Sequence, residues 1–589
     1  MEQFFPDGPD HPFASTMMKH FTKLRAPLYS INEYPSLDDQ EKRFKNLGWY
    51  QAHARNLWDL WSDEEYLDEY SRRSLDVVEP FDEWEEFSLF ASHYFLLVAS
   101  SSSSNLRDIS FSMDATDLPD RQPVRRRSNF VLEFAPQSQS GNGQQRRHGS
   151  LVPDSECSLG HHGGLGRHSR LSSSDLYTSS EEISKPLCSF PPDDIPARMC
   201  HTITAINDND FLLVGGRSSP SAALGDCWLR RAGEWYPTHK LPSARFRHNA
   251  VKVVTEGVEK VLLYGGKLSN GNALDSWLLW DEVQGWQEIE MVGDRPSARF
   301  GACLERISDT CGIMFGGIGQ DGRIQEDFWS WKICQQTHST GPPSVTVQMS
   351  DWTEKMQSAA PLLFKYLNRF GATISPTSWG LIVAGGIIPG QVLLSDKEII
   401  LLDQTALLHF AERAEPLGPD VVSAIELRTG VEGQPRPLLT GHVAYRPKPD
   451  QLVILGGGAV CFSFGTFLTE GTFLLKCSES ISPNTWSVVP ESRYTNRNQP
   501  QGSSGGLQDI YSETSKGESF LSVPHVRIDT ASQFEQVVAN GKPVIIEGCD
   551  IGPCTSLWTK EYMVKAVGQD RKVRGFFFFF FCVKGNKLI

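Results

Sequence analysis

At 589 residues, 39% of them apolar, the chain is long enough for two to four domains with ordinary hydrophobic cores. A formal charge of −15 opposes non-specific nucleic-acid binding by the chain as a whole, so any RNA contact has to be a local basic patch. No apolar run reaches the roughly 18 residues of a membrane helix, no leader-like segment opens the chain, and twelve cysteines without a CxxC pair give neither a zinc site nor a disulfide framework.

Residues 36–99 read as helices. Ser36 with Asp39 makes a capping-box start, and Gly48 follows the last turn of a helix ending near Leu47. Ser62 with Glu65 is expected to open a second helix. A third, from about Asp82, puts Trp84, Phe87, Ala91, Tyr94 and Val98 on one face, a stripe that reads as core. Asp10 and His11, in GPDHPF, are site candidates that a proline-bounded turn explains equally well.

Composition changes at Ser100. From there to 187 the chain is rich in Ser, Gly, Arg and His, includes SSSSS and HHGGLGRHSR, and is expected to be a disordered linker. RRRS (Arg125 to Ser128) reads as a solvated charge run with some appeal for a kinase or a phosphate.

Five Gly pairs then recur: Gly215-Gly216, Gly265-Gly266, Gly316-Gly317, Gly385-Gly386 and Gly456-Gly457. Each closes a short apolar run, such as Phe211 to Val214 or Val261 to Tyr264, that reads as a buried strand. A buried strand ending in two glycines signals close backbone approach or positive φ. Arg198, Arg245, Arg299 and Arg369 precede four of the pairs by 17, 20, 17 and 16 residues, and Trp228, Trp277 and Trp329 follow three of them. This pattern resembles the kelch repeat, whose period is near fifty and whose unit is a four-stranded propeller blade. The best copies begin PSARFRHNAV at Pro242 and PSARFGACLE at Pro296. A ring of six or seven blades requires one or two more than the five recognised. Arg245, Arg299 and Arg369 have two readings: a phosphate-binding ring, or, the reading preferred here, side chains that hydrogen-bond neighbouring turns.

A polar break from Tyr494 to Gly517 precedes a short unit with a helix over Ser532 to Asn540, a strand in PVIIEG and a helix in SLWTKEYMVKAVG. Cys549 and Cys554, the closest pair of cysteines, read as reduced thiols, and His525 as a surface residue. The last residues, with six consecutive phenylalanines, form an aggregation-prone window, and the expectation for this tail is translated intron.

Three stretches carry a wider resemblance: MEQFFPDGPDHPFASTMMKHF (from Met1), YPSLDDQEKRFKNLGW (from Tyr34) and EPFDEWEEFSLFASHY (from Glu79). They resemble the C-terminal third of leucine carboxyl methyltransferase-like enzymes, within them the tRNA wybutosine-synthesizing protein 4 family. VPHVRIDTASQFEQVVANGKPVIIEG (from Val523) resembles the start of a JmjC-type cupin. The resemblance implies a multidomain protein. Residues 1–99 would be the C-terminal part of an α/β methyltransferase, 100–187 the linker, 188–493 an all-β kelch-type propeller, 494–520 a linker, 521–572 the N-terminal part of the cupin, and 573–589 the aberrant tail.

In that family S-adenosylmethionine lies over a Gly-containing loop with an acidic residue for the ribose. The chain is expected to begin inside this domain, without that loop, leaving Glu2 and Gln3 as the candidate cofactor-binding residues. The His-x-Asp and distant His that hold iron in JmjC-type oxygenases are not found after Val523, so no metal is expected and an oxygenase is the weakest reading. The resemblance implies methylation and methoxycarbonylation of the modified guanosine beside the anticodon of tRNA-Phe. It also implies a cytoplasmic location, with mitochondria or nucleus as further compartments, and no membrane partner. The competing reading is a non-catalytic propeller scaffold that binds protein or RNA through its loops.

Overall fold

A computed structural model describes residues 2–78, 80–101, 125–136, 145–179, 190–192, 195–336, 344–429, 434–461, 465–477, 483–489, 524–528, 530–539, 544–547, 559 and 562. They divide into two units, 1–500 and 501–589.

Each Gly pair is where one blade is sewn to the next. At Gly316, φ is +64° and a Cβ would sit 2.1 Å from the carbonyl oxygen of Arg369, so only glycine fits. The Gly317 N–H donates to that same oxygen at 2.8 Å. The contact recurs around a complete ring: Gly164 to Arg198, Gly216 to Arg245, Gly266 to Arg299, Gly386 to Leu439, and Gly457 back to Arg146. Six contacts of one kind make a six-bladed propeller.

Blades 2 to 5 are each built from consecutive strands. In blade 3, Asn249–Thr255, Val258–Tyr264, Trp277–Asp281 and Gly285–Gly293 form an antiparallel meander. Trp277 of this blade meets Trp331 of blade 4 at 6.2 Å between ring centres, so the recurring aromatics do pack between blades. The outer strands of blades 3 and 4 pair in parallel, Gly285–Gly293 with Ser344–Asp351, and weld the two blades into one sheet.

Blades 1 and 6 use residues from the segment expected to be a disordered linker, so that expectation fails for much of 100–187. Blade 1 is Ser150–Ser155, Ser158–His162 and Ser174–Thr178, completed by Ser487–Val488. Blade 6 is His442–Tyr445, Gln451–Gly456 and Thr472–Cys477, with Arg126–Ala135 as its outer strand. That strand also pairs in parallel with Val422–Thr429 of blade 5. The Arg125 and Arg126 side chains lie against Asp420 and Asp396, so the RRRS run is the start of a strand.

Residues 2–101 form a lobe of helices on a three-stranded antiparallel sheet, in the order Glu2–Gln3, Tyr94–Ser100, Gln51–Asn56. The capping box at Ser36 is present and its helix runs Leu37–Asn46. Ser62 ends a helix instead of opening one, because Asn56 caps Leu57–Ser62 by accepting from Asp59 N–H. The third helix is Trp84–Ser92; it stops at His93, and Tyr94 and Val98 belong to the central strand of the sheet. No helix among the described residues is long and apolar enough to cross a membrane.

In the second unit, His525–Arg527 pairs in parallel with Ile545–Glu547, and helix Ala531–Ala539 lies between them in sequence. His525 is exposed and its Nδ1 lies 2.6 Å from Glu547. The poly-phenylalanine tail, Cys549, Cys554 and nearly all of the last expected helix fall outside the described residues.

Candidate functional site at the lobe and propeller junction

The lobe sits on one face of the propeller. In every blade the innermost strand starts, and its hairpin partner ends, at this face; in blade 3 these ends are Asn249 and Tyr264. Trp58 and Trp84 of the lobe are buried against Phe300, Ile318, Phe370 and Ile387, and the indole Nε1 of Trp58 donates to Ile388 O at 2.7 Å. Burying aromatics of this size stabilises a contact by roughly 1.5–3 kcal/mol each.

Over the propeller axis the apolar contact gives way to charge. Two residues after each of the five repeat arginines, and after Leu439 at the same place in blade 6, the backbone turns left-handed, at His148, Cys200, Arg247, Gly301, Gly371 and Gly441, with φ between 53° and 70°. Each of five neighbouring pairs in this set is joined by an N–H to carbonyl bond, from His148 to Gly441 at 2.7 Å through Gly371 to Gly301 at 3.0 Å. The result is an innermost collar of backbone. Asp82, Glu85 and Glu86, from the start of the Trp84–Ser92 helix, project into it. Asp82 accepts from Arg217 Nε at 2.6 Å and Arg247 Nε at 2.5 Å; Glu85 takes the Arg247 fork at 2.7 and 2.9 Å; Glu86 pairs with Arg147. All six side chains are buried. Three carboxylates meet three guanidinium groups, the condition under which burial of ions is tolerable.

Glu85, Glu86 and His148 bring ligand atoms within 4.8 Å of one another, a spacing that suits a metal ion. Their carboxylates are already engaged by Arg247 and Arg147, whose charges oppose a further cation. A cavity of about 150 Å³ opens along the axis behind the collar, lined by Glu85 and Arg247 at its lobe end.

The sequence candidates lie at the edge of this junction. Gln3 pairs with Tyr94 in the lobe sheet, and Phe4 N–H donates to His93 O at 3.1 Å. His93 Nδ1 donates to Leu89 O at 2.7 Å, and the ring of His11 stands 5.3 Å from that of His93. Burial holds both imidazoles neutral: that of His93 is pushed down to about 4, that of His11 well below its usual value. His11 also caps its helix, its Nδ1 accepting from Phe13 N–H, whereas Asp10 is exposed. The nearby cavity against blades 5 and 6 is about 20 Å³, room for one water and no substrate. Asp7 accepts from Ser395 beside Arg436, which also holds Glu398, a carboxyl that burial pushes up to about 7.

Arg299 settles the choice between a phosphate ring and turn bonding. It is fully buried, donates to Gly316 O at 3.1 Å and pairs with Asp327. Arg146, Arg198, Arg245 and Arg369 make the same bond to the first glycine of their own pairs. In blade 6, Thr440 stands in, bonding Gly458 O at 3.0 Å. Arg299→Ala is therefore expected to lower unfolding free energy by about 3–5 kcal/mol, because Asp327 is left without its partner. Urea denaturation of the variant beside the parent checks this.

Asp82, Glu85 and Glu86 escaped the sequence reading. The one available signal was an acidic run, EPFDEWEEF, leading into an otherwise apolar helix.

The family model for the tRNA wybutosine-synthesizing protein 4 beta-propeller matches residues 195–471. Blade 1 and the outer strand of blade 6 lie outside that match. The chain is 52% identical over 576 residues to a tRNA wybutosine-synthesizing protein 4 of Aspergillus fumigatus, covering 97% of this chain and 53% of that one. For the protein of the same name from Aspergillus oryzae the identity is 49%, covering 97% and 54%. For that of Saccharomyces cerevisiae it is 27% over 492 residues, covering 81% and 63%. The chain spans about half the length of the first two relatives.

Proposed function

The chain belongs to the tRNA wybutosine-synthesizing protein 4 family, and from that premise we propose that it serves wybutosine formation on tRNA. The finer reading is methyl transfer from S-adenosylmethionine to the side-chain carboxylate of the modified guanosine in tRNA-Phe, followed by methoxycarbonylation. The observation that carries it is the docking of the lobe, through the buried Asp82, Glu85 and Glu86 network, onto the propeller. A fixed lobe can present its sheet edge, with Gln3 beside His93, to a substrate held in one orientation, and orientation is the main term in a displacement at a sulfonium methyl.

The cofactor in this fold class needs a parallel strand, a Gly-rich loop and a helix N-terminus. The described lobe sheet is antiparallel throughout and offers no such cradle among residues 2–101. Those residues do not fit the cofactor by themselves. Glu2 and Gln3 remain candidates for lining a cofactor pocket, and tRNA-Phe the candidate substrate.

A scaffold role is the second reading, favoured by the closed propeller ring. Equilibrium dialysis of the purified chain with S-adenosylmethionine separates the two. Micromolar binding, with methyl transfer to precursor tRNA-Phe, supports the enzyme; no binding at millimolar ligand supports the scaffold.

A further inference from the structure

Blade 1 carries an arginine where its neighbours do not. In blades 1 to 4 a hairpin follows the Gly pair on the lobe-facing side and is closed by one backbone pair: Leu165 with Arg170, Arg217 with Ala223, Lys267 with Ala273, and Ile318 with Ile324. The closing residue is Ala or Ile in blades 2 to 4, and Ile324 is buried against the lobe's tryptophans. Arg170 is therefore not a demand of the repeat, as Arg146 and Arg299 are. Arg147, Arg217, Arg247 and Lys267 each meet a carboxylate of the lobe. Arg170 is half-buried, its Nε is shut away from water without an acceptor, and it makes no ion pair among the described residues. Burial and the charge of Arg217 beside it hold its pKa below the usual value, while Glu83 attracts it without pairing. Arg217 itself engages only its Nε, with Asp82, so the far end of its guanidinium has no acceptor among the described residues. Neither 157–174 nor 217–225 contains an Asp or Glu, and Arg167 is exposed at the tip of the blade 1 hairpin. In a chain at −15 overall, this is a local excess of positive charge.

We propose that hairpin 165–170 and Arg217 form a binding site for a phosphate dianion, free or as the monoester of a small molecule, held between Arg170 and Arg217 with Arg167 at the rim. A half-buried guanidinium without a counter-ion is costly, and an anion from solution removes that cost. Guanidinium forks match pairs of phosphate oxygens, and two of them match the two charges of a dianion; a carboxylate would leave one unmatched. Because Arg217 also holds Asp82, an occupied site ties the blade 1 hairpin to the anchor of the lobe.

The test is calorimetric titration of the full chain with inorganic phosphate, methyl phosphate and dimethyl phosphate at constant ionic strength. The first two should bind, and dimethyl phosphate, a monoanion, at least about tenfold more weakly. Methyl phosphate binding the tighter of the two marks an ester as the natural source; the reverse order marks free phosphate. Arg170→Gln should weaken phosphate binding at least about tenfold. Glu83→Gln should tighten it about two- to fivefold by removing a competing carboxylate, a gain that misfolding cannot imitate. Replacement of the exposed Arg295 by Gln, between blades 3 and 4, should leave it unchanged. Phosphate should also raise the melting temperature of the parent and not of Arg170→Gln. No phosphate binding at about 10 mM, equal affinity for dimethyl phosphate, or an Arg170→Gln variant that binds like the parent overturns the site.

Discussion

Acidified from pH 7 to pH 5, this protein is expected to unfold cooperatively and to take up several protons as it does. Eight imidazoles are held neutral by burial: His11, His93, His148, His161, His162, His201, His248 and His442. His162 and His248 are pushed down to about 3, His93 and His442 to about 4. In the unfolded chain each titrates near 6.5. Between these values the unfolded state binds protons that the folded state refuses, so stability is complete above about pH 6.5 and is lost as pH falls toward 4. Glu86, Glu305 and Glu398 work the other way: burial pushes each up to about 7, so folding holds their protons as pH falls through the range. The imidazoles outnumber them. A net uptake of about four protons lowers stability by roughly 5–6 kcal/mol per pH unit, enough to exhaust a typical domain within two units. Guanidinium melts at pH 7.5, 6.5 and 5.5 measure the fall; a midpoint that stays level across the series would refute the account.

The second large effect belongs to Asp82. Replacing it by Ala should cost about 3–5 kcal/mol, because Arg217 and Arg247 then remain buried with one of their carboxylates gone. The loss should fall on the lobe first, seen as faster proteolysis within residues 57–93 before the propeller melts. The exposed pair of Arg306 and Asp309, 3.3 Å apart, supplies the control: Asp309→Ala should change stability by less than about 0.5 kcal/mol. If both variants melt alike, the buried network contributes nothing special.

What the sequence disclosed follows from which residues fill the strands. Blades 2 to 5 announce themselves through aliphatic inner strands such as Phe211–Val214, a glycine pair and an upstream arginine. Blade 1 has the same grammar, with Gly163-Gly164 standing 17 residues after Arg146. Its inner strand, however, is Ser158–His162, buried throughout yet made of Ser, Gly and His, and the composition reads as a linker. Packing overrides composition here: Gly149 and Gly160 leave the space that His161 and Phe190 fill. Phe130, Leu132 and Phe134 do alternate as a strand should, but the Ser- and Arg-rich surroundings hid them. The junction was less legible still, since a buried carboxylate and an exposed one look identical until the arginines facing it are known. Asp82 meets Arg217 and Arg247 from 135 and 165 residues away, a separation over which spacing carries no signal.

Closure of blade 1 by Ser487–Val488 sets a schedule for synthesis. The three strands of that blade are complete at Thr178, yet the edge they need emerges roughly 300 residues later. At ribosomal rates of 5–20 residues per second, that leaves an open sheet edge for on the order of 15–60 seconds. During that interval the nascent chain is a partly closed ring with an unpaired strand, the kind of surface that chaperones shield and that aggregation exploits.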